Sequence, residues 1–125
     1  MPEQKLGDSR LDFLVLKIDK RIWVEVKGCT FVRDDVALFP DAPTTRGKRH
    51  LDELTLAKRN GYNAAVLFLV FRPDAKYFSP NRLMDPQFYG AYQKAREAEV
   101  DFYPLLFTFW QGTIYFNKIL PSHEI

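Results

Sequence analysis

The chain has 125 residues, 46% hydrophobic and 15% aromatic, with eleven Phe. That length and apolar content suit one compact domain burying roughly two-thirds of its extended surface, and they exclude a disordered chain. The net charge of +2 permits a local patch for nucleic acid but excludes a broadly polycationic surface.

Met1 to Asp8 is polar and reads as no signal peptide. The runs Leu11–Ile18 and Arg21–Lys27 are rich in β-branched and aromatic residues, with Asp19-Lys20 between them. They predict two strands and a tight turn. With Asp19 and Lys20 as the central turn residues, Ile18 pairs with Arg21. Leu14 then lies opposite Glu25, and Asp12 opposite Lys27. Directly paired residues share a face, as do residues two apart on one strand, so Asp12, Glu25 and Lys27 converge. A one-residue bulge would undo that parity.

Two carboxylates beside an ammonium suit a hard divalent cation, Mg²⁺ or Mn²⁺, and an anionic transition state. The same three residues also fit solvated strand charges or a weak cross-strand pair. Arg10 shares the face of Asp12 by strand parity, where it contacts phosphate or pairs with Glu3. Trp23 and Trp110 read as packing aromatics, with Trp23 on the face of Glu25.

Cys29 is the single cysteine, which excludes an internal disulfide. Its apolar setting predicts a buried, inert thiol. Cys29 to Phe39 reads as an irregular strand region interrupted at Arg33-Asp34-Asp35. Pro40 to Gly47 is a loop with a helix-start signal in Thr44-Thr45. Leu51, Leu54 and Ala57 repeat at helical spacing, predicting a helix over Lys48 to Asn60 that stops at Asn60-Gly61. Asn63 to Phe71 is a near-continuous apolar run, as expected of a strand buried on both faces. It is too short to span a bilayer, so no membrane segment is expected. Arg72 to Asp85 reads as a long loop. Asp85 caps a second helix, with Pro86 at its first position, reaching about Glu99. Asp101–Phe109 and Thr113–Leu120 are strands joined by Gln111-Gly112. The order predicts one α/β domain over residues 1–125, a mixed sheet flanked by helices.

Arg46, Lys48, Arg49 and His50 cluster at the predicted start of the first helix. A helix N-terminus beside basic side chains is a natural phosphate site. It is equally a solvated helix start. His50 alone fits a general acid, a phosphate donor or a satisfied surface imidazole. Asp41 and Asp74 sit in loops, where Asp commonly forms turns.

Several stretches together resemble one family. They are Gly7-Asp8-Ser9-Arg10-Leu11-Asp12-Phe13, Val24-Glu25-Val26-Lys27, Phe39-Pro40-Asp41-Ala42-Pro43-Thr44, Arg46-Gly47, His50-Leu51-x-Glu53-Leu54, Arg72-Pro73-Asp74-Ala75 and Asp85-Pro86. In order and content they are similar to the sugar fermentation stimulation (SfsA) family. The resemblance implies that family's C-terminal domain, with the restriction-endonuclease-like PD-(D/E)xK fold. The signature maps onto Asp12 and Glu25-Val26-Lys27. It implies a metal held by Asp12, Glu25 and the Val26 carbonyl, with Glu3 at the position of a further family glutamate. It also raises His50 towards a site role, and makes Asp41 and Asp74 second-tier candidates. Where the family has Lys before the His, this chain has Arg49, preceded by Lys48. Family members also carry an N-terminal β-barrel domain, which does not precede the first motif here.

The expected chemistry is metal-dependent cleavage of phosphodiesters, with nucleic acid, DNA first, as the partner. Mg²⁺ or Mn²⁺ would supply hydroxide and neutralise phosphate oxygens. Lys27 would stabilise charge at phosphorus. As a base it would need a lowered pKa, which adjacent carboxylates oppose. The alternative is a non-catalytic DNA-binding or regulatory protein that retains the fold. A cytoplasmic setting is expected; monomer and homodimer both remain open.

Overall fold

The computed structural model describes residues 2–6, 9–17 and 20–124, with side chains from Ile22 to Glu124. The chain opens with strands β1 (Pro2–Leu6), β2 (Ser9–Lys17) and β3 (Lys20–Cys29). A short hairpin follows, β4 (Phe31–Arg33) and β5 (Val36–Phe39), and then helix α1 (Thr45–Arg59). The remainder is β6 (Asn63–Val70), β7 (Tyr77–Pro80), α2 (Pro86–Glu97), β8 (Asp101–Trp110) and β9 (Thr113–Ile119). Six strands form a mixed sheet in the order β1-β2-β3-β6-β8-β9, and β4-β5-β7 form a second, smaller sheet. Strands β3, β6 and β8 run parallel, and the flanking pairs are antiparallel. The architecture is the expected α/β mixed sheet with two helices.

The β2–β3 register differs from the expected one. Phe13 pairs with Val24, Leu14 with Trp23, Val15 with Ile22 and Lys17 with Lys20. The pairing therefore closes on Lys17 and Lys20, not on Ile18 and Arg21. This alignment sets apolar residues against apolar ones in three successive pairs. The expected one would face Leu14 with Glu25 and Lys17 with Ile22. The slip is two positions along the partner strand, so parity is kept. Continued one step beyond Phe13↔Val24, the pairing sets Asp12 opposite Glu25 rather than Lys27. In β1–β2, Glu3 falls opposite Asp12, between the pairs Pro2↔Phe13 and Gln4↔Leu11.

Local chemistry sets the helix ends. Thr44 caps α1, its Oγ1 accepting from Gly47 N–H at 2.9 Å. This starts the helix at Thr45, three residues before the expected Lys48, because the cap satisfies an N–H of the first turn. Gly61, at φ +92°, follows the last turn, where a side chain would be strained. Asp85 caps α2 through Phe88 N–H, with Pro86 in the first turn. Asp34 and Asp35 (φ 51° and 69°) make the β4–β5 turn, and Gln111 and Gly112 (φ 48° and 78°) make the β8–β9 turn. Both pairs have the positive φ at two successive residues that a tight hairpin needs.

Strand β7 lies inside the segment expected to be loop. It pairs in parallel with β5, Leu38 meeting Ser79, a contact that local sequence does not encode. The core lies on one face of the large sheet. Val66, Phe68 and Val70 are fully buried, and Phe68 stacks on Phe78 of the second sheet with centroids 4.4 Å apart. Phe39 meets both Phe68 and Phe88, and Tyr92 of α2 meets Phe102. Both helices lie on this side and pack against each other, as the right-handed rule expects where the crossovers β3→β6 and β6→β8 progress in one direction. The alternate residues Leu67 and Leu69 are only half-buried, so β6 is not buried on both faces as expected. On the same side as these, Phe109, Ile114 and Phe116 are exposed. Trp110 is also exposed, at 65%, and is not a packing aromatic. Trp23 is packed as expected, edge to face with Tyr62. Cys29 is 1% exposed, and burial pushes its thiol up to about 12.

Candidate functional site

Strand β3 presents Trp23, Glu25 and Lys27 on alternate positions, and this is the face that α1 covers. Across the parallel pairing, Glu25 lies beside Val66 and Lys27 beside Phe68, at the middle of the sheet. From α1, His50 occupies the buried stripe that continues through Leu54 and Ala57. The two elements bring three polar groups into contact. Lys27 Nζ is 3.0 Å from Glu25 Oε1 and 2.8 Å from His50 Nδ1. His50 Nδ1 is itself 3.0 Å from the same Oε1.

The cluster is nearly dry. Glu25 is 2% exposed and His50 1%, whereas the Lys27 side chain keeps 14%. Burial pushes the Glu25 carboxyl up. The His50 and Lys27 contacts at Oε1 outweigh it, so the carboxyl lies below its ordinary value and is charged at neutral pH. Its second oxygen, Oε2, is buried with no hydrogen-bond partner among the described residues. An unpaired carboxylate oxygen in a dry site carries a desolvation cost that a cation would remove. The indole N–H of Trp23, two residues before Glu25, is likewise buried with no hydrogen-bond partner among the described residues.

The other expected residues fall in different places. The side chains of Glu3, Arg10 and Asp12 lie outside the described residues. Val26 separates Glu25 from Lys27 and pairs with Leu67. Arg46 and Arg49 are exposed at the start of α1, and Lys48 is engaged by Asp52 one turn on, at 2.6 Å. His50 leaves that surface group and joins Glu25 and Lys27. Asp74 grips Arg72 through two bonds of 3.1 and 2.8 Å, and that guanidinium holds its exposed carboxyl low. Arg72 in turn donates to the Thr30 carbonyl, so Asp74 braces a loop. Asp41 is exposed in the turn after β5. A cavity of about 610 Å³ lies elsewhere, lined by Val36, Leu38, Tyr77 and Met84 among others.

Sequence reasoning placed Glu25 and Lys27 together but missed His50 as their partner. The signal was available, because His50, Leu54 and Ala57 share one helical stripe, so His50 had to face the sheet. It also missed that the Asp85 carboxylate reaches Thr44 N–H at 2.8 Å, fixing the start of α1 and hence the position of His50.

Comparison with known proteins shows the family. The profile of the sugar fermentation stimulation protein RE domain matches residues 1–112. The chain belongs to the sugar fermentation stimulation protein family. A homologue from Methanococcoides burtonii is 46% identical over 121 residues, covering 97% of this chain and 49% of that protein. One from Methanothermobacter thermautotrophicus is 54% identical over 102 residues, covering 82% and 42%. The chain thus spans about half the length of these family relatives. Among solved structures, Pyrococcus furiosus SfsA in complex with Ca²⁺ superposes with a TM-score of 0.94 at 31% identity, covering 98% of this chain and 54% of that one. No helix among the described residues is long and apolar enough to cross a membrane.

Proposed function

We propose that this chain is a divalent-metal-dependent nuclease-like domain that hydrolyses phosphodiesters of DNA in the cytoplasm. The observation that carries the reading is the state of Glu25. Its carboxylate is charged and dry, held through Oε1 by Lys27 and His50, while Oε2 has no partner among the described residues. A buried anion kept this way has little structural value, since replacing it with an apolar residue would be cheaper. It suits a hard cation, for which carboxylate oxygens are the preferred donors. The strand register, continued one step past Phe13↔Val24, would align Glu3, Asp12 and Glu25 in one row across three strands, which fits the same role, as does the Ca²⁺ in the name of the Pyrococcus furiosus structure.

Glu25 and Asp12 would hold Mg²⁺ or Mn²⁺, with Glu3 and the Val26 carbonyl as further donors. The metal would supply an activated water and neutralise phosphate charge. The chain's own residues do the rest. Lys27 is a cation at the lip of the dry cluster, placed to stabilise the charge that develops on the phosphorane. Lys27 is assigned to electrostatic stabilisation and not to base catalysis, because its Nζ is ion-paired with the Glu25 carboxylate at 3.0 Å. Arg46 and Arg49 offer surface contacts to the DNA backbone.

The test is cleavage of single-stranded, duplex and branched DNA, and of RNA, with Mg²⁺ and with Mn²⁺. Lys27→Ala should lose about a hundred- to a thousandfold in rate, on the order of 3–4 kcal/mol, with DNA binding nearly retained. If no substrate is cleaved with either metal, and binding is metal-independent, the regulatory DNA-binding reading stands instead.

A further inference from the structure

We infer that the uncovered face of the large sheet is the interface of a homodimer, two copies of this chain packed back to back. One side of β3, β6, β8 and β9 lies towards the helices and the second sheet, and it carries Glu25 and Lys27. The other side has no layer over it among the described residues. Strands β1 and β2 lengthen the sheet at its opposite edge, so they do not cover β8 and β9. A sheet face that meets water ordinarily carries polar residues, and parallel strands are ordinarily covered on both faces. This face breaks both rules. Phe71, Tyr103, Phe109, Ile114, Phe116 and Ile119 project from it and are 38–68% exposed. Phe107 links them, stacking on Phe71 at 5.5 Å between centroids and meeting Phe116 at 5.8 Å. Asp101, at the start of β8, is the one charged side chain on this side among the described residues of the four strands.

Area and charge together choose the occupant. A whole aromatic side chain presents roughly 150–250 Å², so the six exposed side chains offer about 600 Å² in one patch. That is the upper end for the largest apolar patch of a monomer, about 300–600 Å². With the half-buried Leu67 and Leu69 beside it, the patch approaches the roughly 800 Å² that each partner brings to a standard interface. Nucleic acid would need cations to meet its phosphates, and this face has none among the described residues. A sheet face is instead matched by another sheet face about 10 Å away, with the side chains interdigitating. An identical face provides that partner under two-fold symmetry, with no charge at its centre to oppose itself. Glu25 and Lys27 project from the opposite side of β3, so both polar clusters of the dimer face outward.

The test is sedimentation equilibrium of the full chain at tens of micromolar. The parent should sediment at twice 14.7 kDa, and its melting temperature should rise with protein concentration. Phe109→Asp together with Phe116→Asp sets like charges against each other across the two-fold axis. That pair should weaken the dimer by about a hundredfold or more, leaving a monomer at the same concentration. Both residues are more than half exposed in the single chain, so the far-UV circular dichroism should stay parental. Trp110→Ser, at a residue 65% exposed on the helix side of the sheet, should leave the dimer intact. A parent that stays at 14.7 kDa overturns the inference whatever the variants do. A dimer that survives the double aspartate variant, or that is lost in Trp110→Ser, overturns it too. A monomeric parent that floats with phosphatidylcholine vesicles would give the face to a lipid surface instead.

Discussion

Asp85 accepts a hydrogen bond from the backbone N–H of Thr44 at 2.8 Å, across 41 positions of sequence. Its other oxygen accepts from Phe88 N–H at 2.9 Å. One carboxylate thus closes α2 and anchors the residue that caps α1. Asp85→Ala removes a cap and leaves a second N–H unmet. The expected cost is about 2–3 kcal/mol, read as a lowered midpoint in urea or thermal melts. Asp85→Asn keeps one acceptor oxygen and should lose about half as much. A loss below about 0.5 kcal/mol in the alanine variant would show that the bridge contributes nothing.

Gly47 sits where α1 leaves its cap. A Cβ there would lie 2.7 Å from Thr44 Cγ2 and 3.4 Å from Phe88 Cδ2. Glycine to alanine within a helix ordinarily gains up to about 1 kcal/mol. Here Thr44 must turn away, and its bond to Gly47 N–H is lost. Gly47→Ala should therefore lower stability by about 1 kcal/mol, and an increase in melting temperature would contradict the packing described.

Acid should weaken the fold partly through Glu25. Its folded carboxyl titrates below the ordinary 4.5, so the unfolded chain takes up the proton first. The stability that Glu25 contributes is complete above that ordinary value and is lost as pH falls through the lower folded one. Melts of the parent and Glu25→Gln from neutral pH downwards should show the gap between them narrowing in this window. A gap that stays constant with pH would mean that the carboxylate's charge is irrelevant to stability.

DNA binding should be weak and salt-dependent, with a small basic footprint. Replacing Arg46, Lys48 and Arg49 together by neutral residues should remove about three phosphate contacts' worth of charge. The slope of log K against log salt should flatten by roughly 2.7 on duplex DNA. An unchanged slope would place the nucleic-acid surface elsewhere.

The parts of this fold that short-range chemistry dictates were legible. Thr44, Asp85-Pro86, Asn60-Gly61 and Gln111-Gly112 each announce an end or a turn through their own side chains or permitted φ. The sheet register was legible only up to parity. A two-residue turn can close at either of two adjacent places, and the choice depends on which side chains meet across the hairpin. Strand β7 was illegible because its partner, β5, is some forty residues away. The site was half legible. Glu25 and Lys27 follow from alternation along one strand, but His50 reaches them only because α1 lies over that strand. Trp110 shows the opposite failure, since a large aromatic near the end of the chain was read as packed and lies in solvent.

The two sides of the large sheet imply different tolerances to change. On β6, Val66, Phe68 and Val70 are sealed beneath the helices and second sheet, whereas Leu67 and Leu69 keep part of their surface wet. A comprehensive substitution scan of this strand should therefore alternate, with one residue intolerant and the next permissive. Past the bulge at Leu106 and Phe107, the β8–β9 hairpin should become permissive at nearly every position. Polar replacements at Phe109, Ile114 and Phe116 sacrifice little burial. This hairpin is where solubility could be tuned without disturbing the chemistry at Glu25.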